Sequence, residues 1–221
     1  MRVTEARWIA DQLASLPNDR ISPLLNIGSS TAEFREINQP HIDRLLFAPL
    51  RERGVEVIHA DLKQARGVDI HGDMMDPAIQ ARLRARKPRA VLSSNLLEHV
   101  LDPGAFARVI GSFVEPPGIA IITVPRSYPF HADPIDTGFR PRPDELAAMF
   151  TGFELVRGEV VADTSYSAEL ASQGRAGITK GLKTLIGALR PRGDIGRAQR
   201  DRLRWLFKPF TTSCVLLQAK S

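Results

Sequence analysis

Apolar and polar positions follow two rhythms along this chain, and the switches between them outline its elements. From Glu5 to Leu16, Ile9, Leu13 and Leu16 recur at helical spacing beside Trp8, which predicts an amphipathic helix that Pro17 ends. Leu24 to Ile27 is a short apolar run closed by Gly28 and reads as a buried strand. Ser30 with Glu33 three residues on is a capping-box pattern for a helix from Thr31, which Asn38 and Pro40 should stop. A second strand is expected over Val55–Asp61, a shorter third over Gly67–Asp73, and a fourth over Ala90–Asn95 after a basic helix, Ile79–Lys87. Asp102 caps a helix that starts at Pro103 and sets Phe106, Val109, Ile110 and Phe113 on one face. Ile119–Val124, apolar almost throughout, fits a strand covered on both faces. A helix over 143–150, a sixth strand over 153–163 and a seventh over 213–219 complete the series. Strands alternating with helices predict an α/β fold with a doubly wound, mainly parallel sheet.

Composition narrows the class. At 221 residues and 43% hydrophobic, the chain suits a single α/β domain with one embellishment and a full core. Its apolar runs fall far short of the ~20 residues that span a bilayer, and the first residues carry acids where a secretory leader is apolar. A cytoplasmic protein is expected. Cys214 is the single cysteine, so neither an internal disulfide nor a cysteine-based metal site can form.

The net charge of +5 and pI near 9.8 are concentrated in Lys180–Lys208, which contains only two Asp. This run falls in an expected helical insertion, about 164–209, ahead of the last strand, where it should cap an acceptor pocket. Its charge suits an acceptor with phosphate or carboxylate, or contact with anionic lipid. A solvated basic face is the commoner origin of such a run, so peripheral membrane contact is not expected. Nucleic acid is not expected either, because Trp205, Phe207 and Phe210 gather at its end as core anchors rather than as stacking platforms. Oligomeric state leaves no trace in the pattern.

Two stretches carry candidate chemistry. Leu24–Glu36 opens like a nucleotide-binding turn, yet only Gly28 is present of the glycines that let backbone approach a pyrophosphate. A nicotinamide-dependent oxidoreductase is excluded on that ground. After the fifth strand, Pro125–Pro141 collects Tyr128, His131, Asp133, Asp136 and Arg140 in a loop stiffened by Pro129, Pro134 and Pro141. His131 and Asp136 are the candidate catalytic residues: His131 has the pKa range of a general base, and Asp136 either orients it or pairs with Arg140. His59, His71, His99 and His131 lie on separate segments without ligand spacing, so no metal is expected.

The block Ser93–His131 resembles the class I S-adenosylmethionine-dependent methyltransferases. It matches their fourth strand, Leu-Glu-His segment, Asp-Pro helix, Pro-Gly turn and fifth strand in order. The resemblance implies a seven-stranded sheet whose last strand runs antiparallel beside the sixth, and S-adenosylmethionine as cofactor. It implies a small-molecule or glycan acceptor. By family position Gly28, Ser29, Ser30 and Thr31 would meet the amino-acid end of the cofactor, and Asp61 its ribose, with Asp69 as rival. Asp73 would take the adenine amino group between Met74 and Met75, and Asn95 with the backbone of Leu96 would close the pocket. Glu98 reads as a helix cap paired with Asn95, and His99 as either a mouth residue or an internal hydrogen-bond partner. Asn26 stands where many relatives carry an acid, which keeps a second reading open: a catalytically silent binding module on the same fold.

Overall fold

The computed structural model describes residues 1–131, 135–189 and 194–220, and Asp133 and Pro134 lie outside them. Seven strands, β1 (Leu24–Ile27), β2 (Val57–Asp61), β3 (Ile70–His71), β4 (Ala90–Ser94), β5 (Ile119–Ser127), β6 (Phe153–Ser165) and β7 (Pro209–Ala219), form one sheet in the order β3-β2-β1-β4-β5-β7-β6. The first five are parallel, and β7 enters between β5 and β6 antiparallel to both. The expected sheet, with its reversed last strand, is therefore present.

Strand side chains alternate faces, and the central strands fill two cores. Leu25, Ile27, Val91, Ala120, Ile122, Val215 and Leu217 face one side, where they meet Leu83, Phe106, Ile110 and Leu146. Leu24, Ala90, Leu92, Ile119, Ile121 and Leu216 face the other, against Trp8, Ile9 and Leu13 of the first helix, α1 (Val3–Ala14), and against Leu46, Phe47 and Leu50. This double coverage explains why β1, β4 and β5 read as apolar runs rather than as alternating ones.

Two local expectations are corrected and one is extended. The third strand shrinks to Ile70–His71. The helix after β1 stops at Asn38 as expected, with Gln39 non-helical at φ −131°, but Pro40 then opens a further helix at its first turn, where a missing N–H costs nothing. The backbone then stays helical over Asp43–Phe47 and Ala48–Glu52, because Ile42, Leu46, Phe47 and Leu50 must reach the core. The cap of the post-β1 helix is also different, since Thr31 Oγ1 accepts the Phe34 N–H at 3.1 Å.

Between β6 and β7 the chain forms three helices, Tyr166–Ser172, Gly174–Ala188 and Asp194–Arg204. Of the expected anchors at their end, Phe210 is buried and Trp205 donates its indole N–H to Ser127 Oγ at 3.0 Å. Phe207 is 86% exposed and anchors nothing.

Candidate functional site

The loops after β1 and β4 diverge where the strand order reverses, and a crevice at such a point is the favoured ligand position of an open α/β sheet. A cavity of about 1210 Å³ lies there, lined by residues that follow β1, β2, β4 and β5 and by Met1, Arg2 and Glu5. It exceeds the ~300–1,000 Å³ usual for one small ligand, leaving room for a cofactor and an acceptor together.

Its floor is the loop after β1. Gly28 has φ +72°, and a Cβ there would come within 2.9 Å of a Leu96 methyl. Glycine is required by that close approach as well as by the backbone angle. Ser30, at φ 52°, is held in the left-handed region by two neighbours. Asp61 Oδ2 accepts its N–H at 2.7 Å, and the buried Arg35 guanidinium donates to the Ser29 and Ser30 carbonyls at 2.8 and 2.7 Å. Arg35 also donates to the Gly67 carbonyl at 2.8 Å, tying the loop to the approach of β3. The N–H groups of Gly28 and Ser29 are already spent on the Ala60 carbonyl, and Ser29 Oγ donates to Ser30 O. These serines therefore offer a shaped surface rather than a ring of free donors.

Asp61 and Asp69 separate clearly. Asp61 ends β2, lines the cavity, and accepts from Ser30 and Lys63 backbone N–H groups. Asp69 accepts the His59 N–H at 2.7 Å and does not line the cavity. Asp73 lines it and accepts the Met75 N–H in a tight turn, with Met74 buried against the core and Met75 partly exposed.

On the far wall Asn95, at φ 50°, and Leu96 face the loop of Gly28. The Asn95 amide donates to Glu5 Oε1 at 2.8 Å, and Thr123 Oγ1 donates to the same oxygen at 2.6 Å. Glu5 is 1% exposed, so α1 places a buried carboxylate beneath the tips of β4 and β5. The sequence shows only an amphipathic stripe there; an acid one turn ahead of Ile9, on the same buried face, is the available signal. Asn26 is likewise buried, and its amide donates to His59 Nδ1 at 3.0 Å.

His59 is pushed down to about 4, first by burial and then by the Arg35 charge. Its folded pKa is depressed, so the unfolded chain takes the proton first as pH falls. The stabilising effect of the neutral ring is complete above about 6.5 and is lost as pH falls from there to about 4. Unfolding free energies from urea titrations across that window should fall by about 2–3 kcal/mol more in the native chain than in His59→Gln. Equal slopes would remove His59 as the cause.

The loop after β5 brings its candidates together. The Asp136 side chain is buried and accepts from the His131 N–H at 3.0 Å, the Gly138 N–H at 2.8 Å and Arg140 Nη2 at 2.7 Å. Burial opposes its charge, but these donors prevail and hold it below the usual carboxylate range. Its Oδ2 also lies 3.3 Å from His131 Nδ1. Asp136 thus does both things expected of it, orienting His131 and pairing with Arg140. Burial lowers the pKa of His131, against the pull of Asp136, so the ring is neutral near pH 7. His131 lines the cavity beside Tyr128 and His99.

Glu98 is corrected most. Its neighbourhood is the 3-10 turn Leu97–His99, which has no side-chain cap. Its carboxylate is fully buried, and neither oxygen has a hydrogen-bond partner among the described residues. Burial pushes it up to about 8.

No family model matches the sequence, and no curated protein matches it either. Solved structures do match. A Bacillus halodurans protein assigned as a methyltransferase superposes with a TM-score of 0.55 at 14% identity, over 97% of this chain and 98% of its own. A SAM-dependent methyltransferase from Archaeoglobus fulgidus superposes with a TM-score of 0.50 at 15% identity, over 96% and 94%. A Haemonchus contortus phosphoethanolamine N-methyltransferase, solved with S-adenosylhomocysteine, gives 0.51 at 13% identity over 98% of this chain and 53% of its own. At such identities the likeness concerns the fold, and it agrees with strand order, reversed β7 and cavity position: the chain has the fold of the class I S-adenosylmethionine-dependent methyltransferases.

Proposed function

We propose that this chain is an S-adenosylmethionine-dependent methyltransferase acting on a small-molecule or glycan acceptor. The observation that carries this reading is the distribution of polar groups around the cavity. Two carboxylates, Asp61 and Asp73, line the cavity and would accept from a ribose diol and an adenine amino group, and no glycine-lined cradle for a pyrophosphate accompanies them. Gly28 and Leu96 narrow the middle, and Met74 with Met75 supplies apolar contact for a purine.

The acceptor enters on the side of Tyr128, His99 and His131. S-adenosylmethionine held there would supply a methyl group to an acceptor oxygen aligned behind the methyl carbon, the C–S electron pair remaining on a sulfur that loses its positive charge. The hydroxyl proton passes to the free ring nitrogen of His131, whose Nδ1 side is held by Asp136. From the helical insertion the cavity receives Glu169 and Gln173, while Lys180 is paired with Glu169. Lys180 and Arg202 of the basic run line a smaller adjoining pocket that shares Tyr128, His131 and Glu169 with this cavity.

Calorimetry tests the cofactor half of this reading. We expect binding of S-adenosylhomocysteine on the order of micromolar and no heat with NAD. Folded protein silent toward both S-adenosylmethionine and S-adenosylhomocysteine would leave only the binding-module reading.

A further inference from the structure

Three lone-pair donors converge at the acceptor side of the cavity. One donor atom each from Glu98, His99 and His131 lies within 4.8 Å of the others. His99 Nδ1 faces the Ile135 carbonyl, which only an N–H can satisfy, so the lone pair of that ring sits on Nε2. That Nε2 is 3.6 Å from Glu98 Oε1. His131 Nδ1 lies 3.4 Å from the Pro129 carbonyl and 3.3 Å from Asp136 Oδ2, which leaves Nε2 as its lone-pair nitrogen too. A fully buried carboxylate without a hydrogen-bond partner among the described residues completes the set. With Glu98 deprotonated, donors arranged in this way repel one another, and either a proton or a bound cation among them relieves the repulsion.

We propose that Glu98, His99 and His131 form a binding site for a divalent first-row transition-metal ion at the cavity wall, whose open positions take oxygen atoms of the acceptor. Two imidazoles and one carboxylate are a donor set for manganese, iron, cobalt or zinc rather than for magnesium or calcium, which favour all-oxygen shells. Three protein ligands leave further positions open toward His99 and His131, both of which line the cavity. The outer contacts are also in place, because each imidazole has an oxygen acceptor on its far nitrogen to fix tautomer and ring plane. An ion at ~2.1 Å from each donor spaces them ~3–4 Å apart, so about one ångström of closure suffices.

The proposal rests on the methyl-transfer reading only for its purpose. With the ion bound, His131 Nε2 is its ligand in place of the proton acceptor, and the ion would lower the pKa of the bound acceptor hydroxyl so that the proton leaves to water before the oxygen attacks the methyl carbon. Two open positions side by side favour an acceptor with two adjacent oxygens, such as a vicinal diol of a sugar or a catechol.

Chelator-treated full-length protein, titrated with cobalt(II) and followed by visible absorption, tests the site; manganese(II) and zinc(II) calorimetry runs in parallel. One equivalent should bind saturably, at least about 10-fold more weakly in Glu98→Gln and in His99→Ala. S-adenosylhomocysteine affinity and melting temperature should stay at native values in both. If Glu98→Gln fails to fold, His99→Ala, on a turn at the cavity rim, gives the answer alone. No saturable binding of any of the three ions by folded protein, or binding that both variants retain, overturns the site. Ion binding without S-adenosylhomocysteine binding would spare the site and sink the methyltransferase reading instead.

Discussion

His131→Ala is expected to lower methyl transfer by about 100-fold or more while leaving S-adenosylhomocysteine affinity nearly unchanged. The asymmetry follows from position. His131 lies on the loop after β5 with Tyr128 and His99, whereas the groups we give to the cofactor follow β1, β2, β3 and β4. Removing the ring takes away the nitrogen that accepts the proton but leaves Asp136 bonded to Arg140 and Gly138, so the loop keeps its framework. Turnover must be measured on an acceptor found by screening hydroxylated glycans and phenols. Unchanged turnover makes His131 a bystander. A parallel loss of melting temperature and cofactor affinity makes it a structural residue. Chelation separates the two ways His131 can act: turnover that survives chelator treatment leaves it as the base, and turnover restored only by added metal ion makes it a ligand.

The second large effect is on binding. Asp61→Ala should weaken S-adenosylhomocysteine by about 1.5–3 kcal/mol, the range for hydrogen bonds to a charged group. The carboxylate has two roles here, since it would accept from the ribose and already fixes Ser30 in its left-handed conformation. Asp61→Asn keeps the shape and one acceptor oxygen, so it should lose less. Asp69→Ala is the informative contrast, because Asp69 holds the His59 N–H outside the cavity. It should lower thermal stability and spare affinity. If calorimetry shows the reverse pattern, the ribose belongs to Asp69.

What the sequence revealed depended on whether the signal was local. β4, the Asp102-capped helix, β5 and β7 were legible because burial on both faces writes itself as consecutive apolar residues, and because Asp102 and Pro103 act within one turn. Gly28, Asp61, Asp73, Asn95 and Leu96 were placed by resemblance, and all of them line one cavity. Pro40 was legible as a stop but not as a start, because a proline that ends one helix can also begin the next, and the packing of Ile42, Leu46 and Phe47 that carries the second helix is tertiary. Glu98 misled for another reason. A capping pattern specifies spacing but not burial, and the turn of Leu97–His99 swings the carboxylate inward. The meeting of His99 with His131, 32 positions apart in the sequence, is a tertiary event with no local pattern to announce it.

Glu5 gives the chain an order of assembly. Its carboxylate is satisfied by Asn95 and Thr123, and its neighbours on α1 depend on residues made later still: Trp8 donates to Glu159 at 3.0 Å, Thr4 Oγ1 to Asp163 at 2.8 Å, and Arg2 pairs with Asp163 and Glu169. The polar partners of α1 and of the Arg2 that precedes it therefore lie 90 to 167 positions downstream. Closing loops of that span is slow, and the contacts repay the lost chain entropy only when both ends are present. Trp8 and Ile9 find apolar cover early, from Leu46 and Phe47, whereas the polar contacts that fix α1 come only with Thr123, β6 and the helix after it. Assembly thus runs from apolar docking to polar locking, and the cavity wall formed by Arg2 and Glu5 takes its final form only when the chain through Glu169 is present.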